Sequence, residues 1–348
     1  MKHFLLAALC LLGLGKASAE DIMVGGSTRN MIVYAPKSLP ASPPLVITLH
    51  GANQDAAYQQ SNTKWNSVAD TAKIVVVYPN AINKFWDTSS VRGSGDMLFI
   101  TTIIEEMVKR YNIDRTRIYI SGFSLGAMMT YNCMEQISDI VAACAPVSGV
   151  RFDNRAPKAS RQVPFIHTHG TADDVFKWVG DPSHAAGGYP YIPDYVQKWA
   201  TYYGCTDKTF IQPYPATSTG SKDAMTRWKM PNSNFEVALL QIDGVGHWHS
   251  DGRISTTQEI WRFMKRYTLG ATPPTVKSIS PENNSFDLTQ DDRTFTIALD
   301  KAADTAKAAA KLVAGKKTIK LQASASEDGK TLTFAVPEGT AIPEGECT

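Results

Sequence analysis

The chain has 348 residues, of which 43% are hydrophobic and 20% charged, with a formal net charge of +2. That balance is one of a folded globular protein, with room for about two domains at ~150 residues each or for one large and one small. So small a net charge offers no dense basic surface, and it sets aside nucleic acid and anionic membrane as partners.

The first 19 residues have the layout of an export signal. Lys2 and His3 begin a basic region, residues 4–14 form an apolar run, and Ala17-Ser18-Ala19 supplies the small-residue pattern that precedes cleavage. The run is too short for a bilayer, which needs ~20 residues. Cys10 follows Leu9, where a lipoprotein site wants a small residue, so no lipid anchor is expected. Cleavage after Ala19 would release a secreted protein, extracellular or periplasmic, with no remaining membrane attachment.

From there, β-rich apolar runs alternate with helical patterns, which is the signature of a mostly parallel sheet covered on both faces. Residues 45–49 and 74–78 are continuous runs suited to strands buried on both sides. Asp96 is placed to cap a helix reaching Tyr111, with Phe99, Ile103, Ile104 and Val108 along one stripe. A strand over 117–121 and a helix over 125–135 follow, then strands at 141–147, 164–168 and 235–242 and a closing helix over 254–267. The expected architecture for residues 20–270 is therefore α/β. Residues 271–275, Ala-Thr-Pro-Pro-Thr, read as a linker.

Beyond the linker, residues 276–348 change cadence. Short strands are expected at 276–279, 294–299, 318–321 and 331–336, as in a β-sandwich, while the Ala/Lys-rich stretch 302–314 has local helical character. Such a sandwich would need another strand after Thr348, so the sequence reads as part of a longer protein. Cys133, Cys144, Cys205 and Cys347 allow three pairings or buried free thiols. No CxxC or Cys/His cluster is present, so neither a metal site nor a cofactor is expected.

The chemistry centres on Gly122-Phe123-Ser124-Leu125-Gly126, a G-x-S-x-G motif. Alone it is weak, but it sits between an expected strand and an expected helix, where a nucleophile elbow belongs. There a serine occupies a tight turn and its hydroxyl faces the free N–H groups of a helix start. A serine nucleophile needs a base, and the base needs an orienting acid; in a fold with such an elbow they follow in the chain order Ser, Asp or Glu, His. Asp173 follows the strand at 164–168, with Asp174 as the alternative. His247, beside Gly246 after the strand at 235–242, is preferred to His249. The oxyanion donors expected are the N–H of Leu125 and, from the loop Leu49-His50-Gly51-Ala52-Asn53, that of Ala52, with His50 bracing the loop.

Leu49-His50-Gly51, Tyr78-Pro79, Trp86, residues 122–129, Ala145-Pro146-Val147-Ser148-Gly149, His169-Gly170-Thr171-Ala172-Asp173 and Gly246-His247 occur in an order that resembles one group. This is the feruloyl and acetylxylan esterases of carbohydrate esterase family one, with the related polyhydroxybutyrate depolymerase-like proteins. The resemblance spans about residues 31–267 and implies an α/β-hydrolase fold, with Ser124 as nucleophile, His247 as base and Asp173 as acid. Many relatives continue the histidine loop with a Gly/Trp/Pro pattern, whereas this chain has His247-Trp248-His249-Ser250. The tail from Pro273 is similar to bacterial Ig-like modules on secreted polysaccharide-degrading enzymes. The implied activity is ester hydrolysis on plant cell-wall polysaccharide, feruloyl before acetyl. The rival readings are a polyhydroxyalkanoate depolymerase and a non-catalytic polysaccharide-binding protein. Trp86, Phe123, Trp178 and Trp248 are the expected substrate contacts, and residues 180–193 an expected cleft wall.

Overall fold

Uninterrupted runs of β-branched and aliphatic residues make the central strands, because only a strand buried on both faces tolerates them. The computed structural model describes residues 16–152, 156–183, 188–213, 222–248, 254–270, 276–281, 293–299, 309–314 and 317–342. The chain divides into two units, parting between Leu269 and Gly270.

The first unit is built on a ten-stranded sheet. Its strands are β1 (Lys16–Val24), β2 (Ser27–Ala35), β3 (Leu45–Leu49), β4 (Val75–Pro79), β5 (Ile118–Phe123), β6 (Ala143–Val147), β7 (Phe165–Gly170), β8 (Asp207–Pro213), β9 (Ala224–Lys229) and β10 (Glu236–Ile242). The order is β1-β2-β4-β3-β5-β6-β7-β10-β9-β8. From β4 to β10 every neighbouring pair is parallel. The pairs at both edges are antiparallel. This is the α/β architecture expected from the alternation of strands and helices, in the α/β-hydrolase arrangement that the motif resemblance implies.

Side chains alternate across each strand, so each run feeds two cores. Ile47, Val77, Ile120 and Phe165 face α3 (Gly95–Tyr111), α4 (Leu125–Gln136) and α5 (Ile192–Tyr202). Val46, Val76, Tyr119 and Ile166 face α1 (Ala56–Thr63), α2 (Trp65–Ala72) and α6 (Thr256–Met264). Among the described residues no helix is long and apolar enough to cross a membrane.

Asp96 departs from expectation. It lies inside the first turn of α3, after the N-cap Ser94, and is buried rather than capping. Its Oδ1 accepts from Arg29 Nη2 at 2.7 Å and its Oδ2 from the Asp87 N–H at 2.7 Å. Arg29 also donates to the Asn80 carbonyl, so this pair ties the edge hairpin to the loop after β4. Removing one partner strands a buried charge. Asp96→Ala is therefore expected to lose about 3–5 kcal/mol of stability, measured by urea denaturation.

Cys133, Cys144 and Cys205 are buried free thiols; Cys347 lies outside the described residues. Burial pushes the Cys144 thiol up to about 12 and the Cys205 thiol to about 11, which keeps both protonated and inert.

The second unit is a small antiparallel β structure. A four-stranded sheet runs in the order β11 (Val276–Ser280), β12 (Thr294–Leu299), β16 (Thr331–Ala335), β15 (Gln322–Ala325). A separate hairpin pairs β13 (Lys311–Ala314) with β14 (Lys317–Lys320). The helical expectation for 302–314 fails at residues 311–314, which form β13 because Leu312 has a buried place there. Residues 301–308 and the linker at 271–275 lie outside the described residues.

Candidate active site

The loops at the C-terminal ends of β3, β5, β7 and β10 gather the chemistry, where open parallel sheets place their ligands. β5 ends at Phe123 and α4 begins at Leu125, so Ser124 alone makes the turn, at φ 55 and ψ −116. A non-glycine residue held there stores about 1–3 kcal/mol of strain, which the surroundings must enforce. The flanking glycines show how. A Cβ on Gly122 would come within 2.2 Å of the Gly126 carbonyl oxygen, and one on Gly126 within 2.4 Å of the Leu49 oxygen. The turn closes on itself and against the end of β3 only because both positions lack a side chain.

His247 Nε2 lies 2.9 Å from Ser124 Oγ, and its Nδ1 lies 2.9 Å from Asp173 Oδ2. The carboxylate only accepts, so Nδ1 carries the proton and Nε2 is left to accept the serine O–H. Asp173 is buried, and its Oδ1 accepts from the N–H groups of Val175 (2.9 Å) and Phe176 (2.7 Å). Asp174 is exposed, and His249 lies outside the described residues. The acid and histidine loops are zipped together: Ala172 N–H donates to the Val245 carbonyl, and Thr171 Oγ1 to Asp243. Phe123 and Phe176 flank the His247 ring, with centroids 4.9 and 5.8 Å away.

The loop expected to supply an oxyanion donor follows β3. His50 Nδ1 lies 2.7 Å from the Gly51 carbonyl oxygen, and its Nε2 accepts from the Ala81 N–H at 3.1 Å. Burial lowers the His50 pKa, so the ring is neutral, with its proton on Nδ1. The Gly51 carbonyl and the Ala52 N–H share one peptide plane and point opposite ways. Pinning the carbonyl therefore aims the Ala52 N–H away from His50. The N–H groups of Ala52 and Leu125 donate to no protein acceptor among the described residues.

A family model for esterase PHB depolymerase matches residues 31–194, a span containing Ser124, Asp173 and the oxyanion loop. The chain is 35% identical over 244 residues to a bifunctional acetylxylan esterase/xylanase of Neocallimastix patriciarum, covering 70% of this chain and 34% of that protein. It is 25% identical over 256 residues to feruloyl esterase B of Piromyces equi, covering 69% of this chain and 46% of that one. The chain thus spans about a third to a half of the length of these relatives. The fold is shared with the acetyl xylan esterase from Aspergillus awamori, with a TM-score of 0.53 at 16% identity over 71% of this chain and 98% of that one.

Two of the expected substrate contacts are buried instead. Trp86 packs against His50 with the rings tilted by 40° and donates its indole N–H to the His50 carbonyl at 2.8 Å, so it braces the loop after β3. Phe123 packs against His247. Trp178 is half-buried against His169 and Tyr191, and Trp248 is exposed beside Phe123 and Tyr58. In the expected cleft wall, Asp181 and Tyr189 form an antiparallel bridge, and residues 184–187 lie outside the described residues. Sequence reasoning missed Phe176, Gln54, which accepts from the Gly51 N–H, and the histidines of β7. The last carried a signal: His167 and His169 are two apart in a strand buried along its whole length, and so share one face.

Proposed function

We propose that this chain is a secreted serine esterase acting on esters of plant cell-wall polysaccharide. The observation that carries this is the continuous Ser124–His247–Asp173 hydrogen bonding at a strained strand-to-helix turn. Ser124 Oγ attacks the ester carbonyl as His247 Nε2 takes its proton, and the N–H groups of Leu125 and Ala52 receive the oxyanion. His247 returns the proton to the leaving alcohol, giving an acyl-serine. Water then attacks, again with His247 as base, and releases the acid. Residues 1–19 direct export; cleavage after Ala19 would remove Lys16–Ala19 from β1 and leave Glu20–Val24 to pair with β2, and the β unit after residue 275 is an accessory Ig-like module.

The motif resemblance puts feruloyl esters first, whereas the higher identity to the acetylxylan esterase/xylanase brings acetyl esters forward. The test is a substrate panel on the full chain: acetate from acetylated xylan, ferulate from methyl ferulate, and clearing of a polyhydroxyalkanoate film. Release of acetate or ferulate is expected. A cleared film with neither acid released would give the polyester reading, for which the family name speaks. No turnover of any of the three would leave a non-catalytic scaffold.

His50 supplies a finer check. His50→Leu is expected to lower kcat about 10- to 100-fold with little change in KM, because it frees the Gly51 peptide without touching the serine. Steady-state kinetics on p-nitrophenyl acetate measures it.

A further inference from the structure

Behind Asp173 runs a line of buried polar groups that the reaction above does not use. Tyr131 on α4 and His167 and His169 on β7 are all buried with no exposed surface. Tyr131 Oη lies 2.9 Å from His167 Nδ1, His167 Nε2 lies 3.0 Å from His169 Nδ1, and His169 Nε2 lies 2.7 Å from the Phe176 carbonyl oxygen. Asp173 Oδ2, the oxygen 2.9 Å from His247 Nδ1, is 3.4 Å from that same His169 nitrogen.

The proton positions follow from one fixed acceptor. A carbonyl oxygen cannot donate, so His169 Nε2 carries a proton. Burial lowers the pKa of both histidines, so each ring holds a single proton. His169 Nδ1 is then bare and must accept from His167 Nε2–H. His167 Nδ1 is bare in turn, and the Tyr131 O–H donates to it. Burial raises the tyrosine pKa, which keeps that hydroxyl a donor. All three bonds point the same way, toward the Phe176 carbonyl.

The carbonyl at the end of the line belongs to a residue held twice. Phe176 N–H donates to Asp173 Oδ1 at 2.7 Å, and its ring stacks on His247. Fixing its carbonyl fixes the turn that presents two N–H groups to Asp173. We propose that Tyr131, His167 and His169 form a buried, one-directional hydrogen-bond relay that positions Asp173 and, through it, His247. They are positioning residues and transfer no proton. Were they only filling the core, apolar side chains of the same volume would serve as well.

The kinetic arm of the test rests on the esterase reading; the spectroscopic arm does not. In the uniformly 15N-labelled full chain at pH 7, long-range proton–nitrogen correlation should show both His167 and His169 as neutral Nε2–H tautomers. An Nδ1–H tautomer or an imidazolium at either position overturns the relay. In kinetics on p-nitrophenyl acetate, His169→Leu should lower kcat about 10- to 100-fold with KM within about twofold, since it disturbs the triad and not the binding surface. His169→Gln, which keeps a donor in reach of the Phe176 carbonyl, should recover most of that loss. A folded His169→Leu with wild-type kcat, or a glutamine variant as slow as the leucine one, overturns the proposal. Should His169→Leu not fold, Tyr131→Phe removes only the first hydroxyl. It should shift the His167 imidazole resonances and lower kcat about two- to tenfold. Unchanged resonances there would overturn the relay. Full turnover by Ser124→Ala would sink the serine-nucleophile reading, and no turnover by the wild type the esterase reading, while the tautomer result stands or falls separately.

Discussion

Ser124→Ala is expected to lower kcat on a soluble ester by about 10⁴- to 10⁶-fold, with KM nearly unchanged. The hydroxyl is the only group removed, and the turn that holds it is fixed by Gly122, Gly126 and the Leu49 carbonyl rather than by Oγ. The variant should therefore fold as the wild type does, and may be compared with it at equal concentration. The remaining rate would come from the oxyanion donors and binding alone, about 10³–10⁴ over water. A fluorophosphonate should label the wild type at Ser124 and leave the variant unlabelled, read by peptide mass. Turnover within tenfold of wild type would remove Ser124 from the nucleophile role.

The parts of this protein that were legible from sequence are those where one requirement dominates. Strands buried on both faces need unbroken apolar runs, and β3, with bounds Leu45–Leu49, coincides with its run. The serine turn needs glycine at two fixed positions, because backbone lies where their side chains would be. Other parts depend on partners distant in sequence. The edge hairpin β1–β2 was missed although Gly25-Gly26, both at positive φ, is a two-residue hairpin signal. Polar stretches interrupt its strands, Glu20-Asp21 in β1 and Ser27-Thr28-Arg29-Asn30 in β2, so neither an apolar run nor a regular alternation marks them. Helix α1 carries Gln59 and Thr63 among its buried residues, so no apolar stripe marks it. Asp96 looked like a helix cap because its strongest partner, Arg29, is 67 residues away. Trp86 and Phe123 looked like pocket lining because aromatic residues beside a site may face inward or outward, and sequence does not say which.

The same distinction separates the proposed reacting groups from their supports. Ser124, Asp173 and His247 are residue types that the proposed reaction demands, in the chain order of a nucleophile-elbow fold, whereas His50, Trp86 and the β7 histidines support peptides whose geometry exists only in the folded chain. Two neutral histidines with opposite tautomers illustrate it. His50 donates from Nδ1 and His169 from Nε2, each to the carbonyl that a neighbouring N–H must oppose.

Asp173→Asn is expected to lower kcat about 10⁴-fold, and the structure shows why the amide fails. Oδ1 accepts from the Val175 and Phe176 N–H groups, so the amide oxygen must occupy that side. The NH₂ group is then forced toward His247 Nδ1 and His169 Nε2, where Oδ2 now stands. It donates to His247 Nδ1 and drives the ring proton to Nε2, so the nitrogen facing Ser124 can no longer accept. It also faces the His169 N–H with a second donor, which loosens the turn that holds it. Asp174→Asn, at an exposed position, should leave kcat within about twofold of wild type, as surface substitutions away from such contacts do. Steady-state kinetics on both variants, with the His247 tautomer read by proton–nitrogen correlation, tests the assignment. An Asp173→Asn enzyme within tenfold of wild type, or one whose His247 keeps its proton on Nδ1, would remove the orienting role from Asp173.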